Sequence, residues 1–201
     1  MKHYLLQFVF ALCFPMLIMA QTEYGNLTPA EKTSQLPIRD LRQSAVWLNM
    51  GWNGFVGFGV ALSYYPVPKI AVDAGVGLSA VGIKASVRGR YLFSVKNFTP
   101  FVGLGFLNGF GTSADFELKD QFNNNEPFKV MVDHSPFIQL SGGFEYMAKK
   151  GFVVLFDLGY ALVLLENYHV TSGNPSPDMI KVMDITYGSG IVIEGGIGYA
   201  F

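Results

Sequence analysis

The sequence has a single cysteine, Cys13, which excludes an intrachain disulfide and a cysteine metal cluster. Charge is also scarce, because Lys, Arg, Asp and Glu make up only 14% of the residues, against roughly 25% in ordinary soluble domains. The formal net charge of −1 gives no general attraction to nucleic acid. The three histidines, His3, His134 and His169, are scattered along the chain. We therefore expect no metal, no cofactor and no nucleic-acid partner.

Glycine and phenylalanine, in contrast, are abundant, with 23 and 18 residues, and half of the sequence is apolar. At 201 residues, a single domain is expected. From residue 45 onward apolar residues recur at every second position, which is typical of β-strands. The alternation predicts eight strands of about 9–11 residues, the length that a tilted membrane strand needs. The predicted strands cover residues 45–52, 56–64, 70–79, 83–93, 98–110, 138–146, 152–162 and 191–201.

The connections between these strands alternate in length. Asn53-Gly54 predicts a tight hairpin after the first strand, and the turns after the second, fourth and sixth strands are short. Two long polar loops, 112–135 and 166–184, follow the fifth and seventh strands. Short periplasmic turns and longer outer loops are typical of bacterial outer-membrane barrels. Aromatic residues at the predicted periplasmic ends would form a girdle at the membrane boundary: Tyr64, Tyr91, Phe93, Phe98, Tyr146, Phe152, Tyr199 and Phe201.

The two faces of the predicted strands differ in character. Bulky residues such as Val56, Phe58, Val60 and Leu62 share one face, which we expect to contact lipid. The other face is mostly Gly, Ala and Ser with few charges, and it would make a poor exterior for a soluble, lipocalin-like barrel. Eight strands enclose a space that side chains roughly fill, so the inward charges are expected to pair, as a structural network or as an ion gate. These lumen charges are Asp73, Lys84, Arg88, Arg90, Glu145, Asp157 and Glu194.

The N-terminal part of the chain differs from the rest. Residues 1–20 predict an export signal, in which Lys2 and His3 precede an apolar run that ends in an acceptable cleavage context at Ala20. Residues 21–44 form a polar periplasmic lead-in, which either remains flexible or tucks into or under the barrel. Residues 45–201 form the predicted barrel domain.

We do not expect catalysis, because a nucleophile needs its base within hydrogen-bond reach and a third group that orients the base. Lipid A deacylase barrels carry a His-x-Ser arrangement, from which His169-Val170-Thr171 departs. Two groupings are the candidates for a triad: His169 with Thr171 or Ser172 and Glu166, and His134 and Ser135 with Asp133.

The final residues, with Ile197, Tyr199 and Phe201 on one face, resemble the closing strand of Gram-negative outer-membrane barrels, which their assembly machinery reads. Over residues 45–201 the chain resembles the small eight-stranded outer-membrane β-barrel proteins, the porin-like and OmpA-like group, of Bacteroidetes type. Unlike full-length OmpA proteins, it ends at the barrel, so no peptidoglycan-binding domain is expected.

This resemblance implies an all-β, eight-stranded antiparallel up-and-down transmembrane barrel in the Gram-negative outer membrane. The implied partners are outer-membrane lipid, lipopolysaccharide and the barrel-assembly machinery, and a monomer is expected. The implied role is structural or surface interaction. The alternatives are a narrow channel or transporter for small or hydrophobic solutes and, third, a lipid-modifying enzyme.

Overall fold

The structure, a computed structural model, describes residues 36–112, 115–165 and 168–201. The predicted export signal and residues 21–35 of the predicted lead-in lie outside these residues. In chain order the elements are α1 (Ile38–Leu41), β1 (Ser44–Trp52), β2 (Phe58–Val67), β3 (Ile70–Ser79), β4 (Gly82–Leu92), β5 (Phe98–Gly109), β6 (Phe116–Asp120), β7 (Glu126–Val132), β8 (Ser135–Met147), β9 (Phe152–Val163), β10 (Tyr168–Ser172), α2 (Pro177–Tyr187) and β11 (Gly190–Ala200).

Eight of these strands close into an antiparallel barrel in the order β1-β11-β9-β8-β5-β4-β3-β2. Each barrel strand pairs with the barrel strands before and after it in the sequence, and β1 closes the barrel against β11, from Ala45 opposite Ala200 to Trp52 opposite Ile193. The predicted all-β, up-and-down eight-stranded fold is therefore confirmed.

Burial alternates along the barrel strands with the period of two seen in the sequence. On β3, for example, Asp73 is buried, whereas its neighbour Val72 and the outward Val76 are about half exposed. All eight aromatic residues of the predicted girdle are exposed, from 39% for Tyr91 to 61% for Phe201. The bulky face therefore points outward, and the face with small and charged residues forms the interior.

The connection from β1 to β2 differs from the predicted tight hairpin. Asn53 has the left-handed conformation that the hairpin prediction requires (φ 50°), but the loop continues to Gly57, which is also left-handed (φ 72°). Phe55 and Val56 are fully buried, so the prediction that Val56 contacts lipid is wrong. The loop of residues 53–57, called here the inner loop, folds into the barrel mouth. This position is favourable because its two apolar side chains are removed from water.

The two long connections were predicted as loops, yet they contain secondary structure. The β5–β8 connection forms β6 and β7, and the β9–β11 connection forms β10 and α2; the three strands make a small sheet in the order β10-β7-β6. We call β6, β7, β10 and α2 together the cap. Phe128, Val130 and Met183 are buried between its sheet and its helix. Burying these side chains stabilises the sheet and the helix, because short elements of this kind are only marginally stable alone.

A short helix, α1, precedes the barrel at the end opposite the cap. Ile38 and Arg39 are buried, and the backbone N–H of Tyr65 donates to the carbonyl of Gln43 at 2.8 Å. Of the two alternatives for the lead-in, its described part therefore tucks into the barrel end. No helix in the described ranges is both long and apolar enough to cross a membrane.

Candidate functional site

The barrel interior contains every charge that the sequence placed there, together with one that it did not. All seven predicted residues are at most 3% exposed, and Arg39 of α1 joins them with no exposed surface. Within the described residues, the interior therefore holds four basic and four acidic side chains. They are Arg39, Lys84, Arg88 and Arg90, and Asp73, Glu145, Asp157 and Glu194.

Glu145 of β8 is the acceptor at the α1 end of the interior. Arg39 donates to its Oε1 from Nε at 2.9 Å, and Arg90 donates to its Oε2 from Nη1 at 2.6 Å. The Tyr65 hydroxyl donates to the same Oε2 at 2.9 Å. Arg39 also donates from Nη1 to the carbonyl of Lys96 at 3.0 Å. This buried carboxylate of β8 thus connects α1 with β4 and β2.

Asp73 of β3 is a second buried hydrogen-bond acceptor in the interior. It accepts hydrogen bonds from Nε of Arg90 at 2.6 Å and from Nη2 at 2.9 Å, and this bidentate contact fixes the planar guanidinium. It also receives Nε of Arg88 at 2.9 Å and the hydroxyl of Ser63 at 2.6 Å. Arg88 pairs in turn with Asp157 of β9. The ion pairs therefore connect strands on opposite walls of the barrel.

Aromatic rings fill the space around these guanidinium groups. Arg90 lies 5.7 Å from the ring centre of Trp47 and 5.0 Å from that of Phe101. Phe55 of the inner loop lies over Arg88, with 4.5 Å between its ring centre and the guanidinium carbon. Such contacts are stronger away from water, so Phe55 both shields Arg88 and closes the interior at the cap end.

The inner loop is held through its backbone by buried polar side chains. The N–H of Phe55 donates to Glu194, and its carbonyl accepts from the Ser86 hydroxyl. Lys84 donates from Nζ to the carbonyl of Gly54 at 3.2 Å. Two of the predicted lumen charges, Lys84 and Glu194, therefore contact a loop backbone rather than each other.

Two contacts join parts of the cap that are distant in sequence. The Tyr168 hydroxyl of β10 donates to Asp184 of α2 at 2.5 Å; burial, the hydrogen bond and the charge of Asp184 raise the pKa of Tyr168 well above its ordinary value. Asp120 of β6 accepts from the N–H of Ser176 at 2.6 Å. Ser176 is the N-cap of α2, so the β6–β7 turn anchors the start of that helix.

The predicted triad groupings are not assembled in the part of the chain that the structure describes. His169 pairs with Asp133 at 2.6 Å rather than with Thr171 or Ser172, and both partners are exposed. The Ser135 hydroxyl donates to the carbonyl of Asp133 at 2.7 Å. His134 lies near the ring of Phe110, 6.4 Å between ring centres, and Glu166 lies outside the described residues. Across the described ranges, no group of three or more His, Cys, Asp and Glu is placed to hold a metal ion.

The predicted assembly-signal residues lie on the outer face of the closing strand. Ile197, Tyr199 and Phe201 are between 55% and 61% exposed. Phe201 follows β11 and exchanges backbone hydrogen bonds with Ser44, the first residue of β1. Their role in assembly remains a prediction, because their position on the outer surface is the same as that of other outward residues.

No protein-family model matches the chain, and no curated protein is similar to it in sequence. Among solved structures, it is similar to the N-terminal β-barrel domain of Pseudomonas aeruginosa OprF, with 13% identity and a TM-score of 0.45 over 80% of this chain and 98% of that one. It is also similar to Acinetobacter baumannii CarO, with 13% identity and a TM-score of 0.33 over 80% of this chain and 98% of that one. The resemblance predicted from the sequence is confirmed at the level of the fold by the closed eight-stranded barrel itself.

Arg39 and Phe55 are two interior residues that sequence reasoning missed. The predicted lumen charges comprise three basic and four acidic residues, so a fourth cation was needed to balance them, and that shortage was a usable signal. Phe55 gave a weaker signal: an apolar pair, Phe55-Val56, follows Asn53-Gly54 in what should have been a polar turn.

Proposed function

We propose that the chain is an integral outer-membrane barrel, exported by its N-terminal segment, that acts through its cap and does not conduct solutes. The outer surface supports the membrane location. Large apolar side chains are half exposed or more on every barrel strand, for example Leu104 at 61% and Leu140 at 64%. Soluble monomers rarely expose continuous apolar patches of more than a few hundred Å², whereas a bilayer supplies hydrocarbon to cover such a belt.

The filled interior is the observation that carries the closed-barrel proposal. Arg39 occupies one end and Phe55 the other, and both have no exposed surface. Between them, Arg88 and Arg90 of β4 pair across the barrel with Asp157 of β9 and Glu145 of β8. The interior of an eight-stranded barrel is just wide enough for side chains, so these large residues leave a solute path only if they move.

The cap is the part left to interact with other molecules. The three connections at the α1 end are all short turns, whereas both long connections lie at the cap end. This difference supports an α1 end in the periplasm and a cap outside the cell. An epitope inserted at Asn124, in the β6–β7 turn, should therefore be stained on intact cells. An epitope at Lys150, in the β8–β9 turn, should be stained only after the outer membrane is permeabilised.

Conductance in planar bilayers tests the closed-barrel proposal. We expect the purified protein to give no stable single-channel steps across a range of applied voltages. Reproducible steps from the unmodified protein would overturn the proposal and favour the narrow channel. The epitope experiment tests orientation separately, so its result does not depend on conductance.

A further inference from the structure

An apolar groove of about 700 Å³ lies alongside β10, lined by β10, α2 and the residues at the two ends of the β9–β11 connection. β10 contributes three consecutive residues, Tyr168 to Val170, so the groove runs along the strand. Helix α2 contributes Ile180, Met183 and Asp184, which share one face of a helix because they are three and four residues apart. The groove therefore lies between a strand and a helix.

β10 is an edge strand of the cap sheet. It pairs with β7 through Tyr168 opposite Val132 and Val170 opposite Val130, and the register shifts between Val170 and Ser172. No backbone hydrogen bond from the other edge of β10 is present in the described ranges. An edge strand presents a row of N–H and C=O groups that another strand can pair with. The regular part of this edge is Tyr168 to Val170.

The groove also offers uncovered apolar side chains. Leu164, Leu165, Val170 and Ile180 all line it and are between 36% and 58% exposed. A lipid tail could cover these side chains, but it has no groups to pair with the backbone edge of β10. An extended polypeptide satisfies both requirements, since its backbone pairs with the edge and alternate side chains enter the groove.

Charge indicates the kind of polypeptide. Asp184 lines the groove, and the cap is acidic as a whole. A basic residue in the incoming segment is therefore favoured, because opposite charges steer association and fix register. The cap elements carry five acidic side chains against three lysines: Glu117, Asp120, Glu126, Asp178 and Asp184 against Lys119, Lys129 and Lys181.

From these observations we infer that the cap groove binds an extended polypeptide segment of a partner protein, which adds to the cap sheet as a fourth strand beside Tyr168–Val170. Alternate apolar side chains of the segment pack against Val170 and Ile180, and a basic residue lies near Asp184. The inference rests on the proposed function, in which the cap is the interacting part of the protein.

Selection from a random peptide library tests the inference. Nine-residue peptides displayed on phage are selected against the full-length protein in detergent, and an enriched peptide is synthesised for fluorescence anisotropy. We expect enriched sequences with apolar residues at alternate positions and at least one Lys or Arg. Ile180→Glu should weaken binding at least tenfold. Ile185→Glu is the matched control, because Ile185 is on the same helix, 62% exposed and outside the groove; it should change binding less than twofold.

Backbone pairing needs its own measurement. Peptides N-methylated at successive single positions should lose binding at one position, or at two positions separated by one residue, because only alternate N–H groups of an added strand face the three-residue edge of β10. Failure to enrich such peptides, equal effects of the two isoleucine variants, or no effect of N-methylation would each overturn the inference. So would concentration-dependent dimerisation that Ile180→Glu abolishes, since a second copy would then occupy the groove. If the protein shows no conductance in planar bilayers, the closed-barrel proposal stands even when one of these results overturns the groove inference.

Discussion

Arg39 donates from Nε to Oε1 of Glu145 at 2.9 Å, which joins a residue outside the barrel strands to one 106 positions later in β8. Both side chains have no exposed surface. A buried carboxylate with too few hydrogen-bond donors around it is costly. Glu145 has all of its donors only when α1 is docked. Arg39 of α1 is therefore part of the barrel interior, because its charge completes the balance of the four acidic residues there.

Removing the Arg39 charge should destabilise the folded barrel. Arg39→Met keeps most of the volume but leaves Glu145 with one fewer cation, and we expect the free energy of unfolding in detergent to fall by about 3 kcal/mol. Glu145→Gln should cost a similar amount. The double variant should be less unstable than the sum of the two by about 1 kcal/mol or more. Strictly additive effects in urea titrations would contradict a direct coupling.

Phe55 should matter more for stability than a phenylalanine on the outer face. Phe55→Ala removes a fully buried ring that covers Arg88, and large-to-small changes of this kind cost about 3–5 kcal/mol. Phe58 is three residues away and 58% exposed on the outer surface, so Phe58→Ala is the matched control and should cost much less. Thermal unfolding of both variants in the same detergent checks the difference; equal losses would mean that the inner loop does not seal the interior.

The barrel could be predicted from the sequence because each strand separates two environments. An apolar outer surface and a confined polar interior give opposite chemistry at alternate positions, as at Val72 and Asp73, and this signal repeats in every barrel strand. The same reasoning led us to expect pairing of the inward charges, since the interior of eight strands has little room for water; it did not predict that Lys84 and Glu194 would contact loop backbone instead.

The cap and the inner loop could not be predicted in the same way. β6 and β7 are short: the alternation Phe128-Lys129-Val130 is a strand signal, but it covers few residues and is flanked by charged residues that suggest a polar loop. The third strand and the helix of the cap come from another connection, so their packing is a tertiary effect with no local pattern. At the inner loop, the Asn-Gly rule gave the correct conformation of Asn53 but the wrong loop length.

Gly143 should tolerate substitution far less well than its neighbour Gly142. A Cβ at Gly143 would collide with the backbone carbonyl of Phe156 in β9, whereas a Cβ at Gly142 would lie 3.4 Å from the carbonyl oxygen of Phe101, an ordinary contact. We expect Gly143→Ala to cost about 2 kcal/mol because the strand pair must shift, and Gly142→Ala to stay within about 0.5 kcal/mol of the parent. The fraction of protein that migrates as folded barrel on unheated gels, followed through a urea series, measures both. A tolerated Gly143→Ala would show that β8 and β9 lie further apart than described.

The anchor between Asp120 and α2 should make the cap sensitive to acid. Burial acts to raise the pKa of Asp120, but hydrogen bonds from the N–H and hydroxyl of Ser176 and the N–H of Phe122 hold it below its ordinary value. A carboxyl whose pKa is lowered on folding stabilises the fold fully above its unfolded pKa, about 3.9, and the contribution is lost as the pH falls through the folded value. The cap should therefore be protected equally at pH 5 and pH 7 and open progressively below about pH 4.

Hydrogen exchange of the α2 backbone, corrected for the intrinsic pH dependence of exchange, measures this opening. Asp120→Asn should weaken protection at neutral pH and remove the acid step, because the charged acceptor is absent at every pH. Asp178→Asn changes an exposed carboxyl in the first turn of the same helix, which pairs with Lys181 at 2.9 Å, and it should retain the step. An acid step that persists in Asp120→Asn would assign the sensitivity to another group in the cap. The barrel amides of β3 and β4 serve as the internal reference, since the contacts of Asp120 do not reach them.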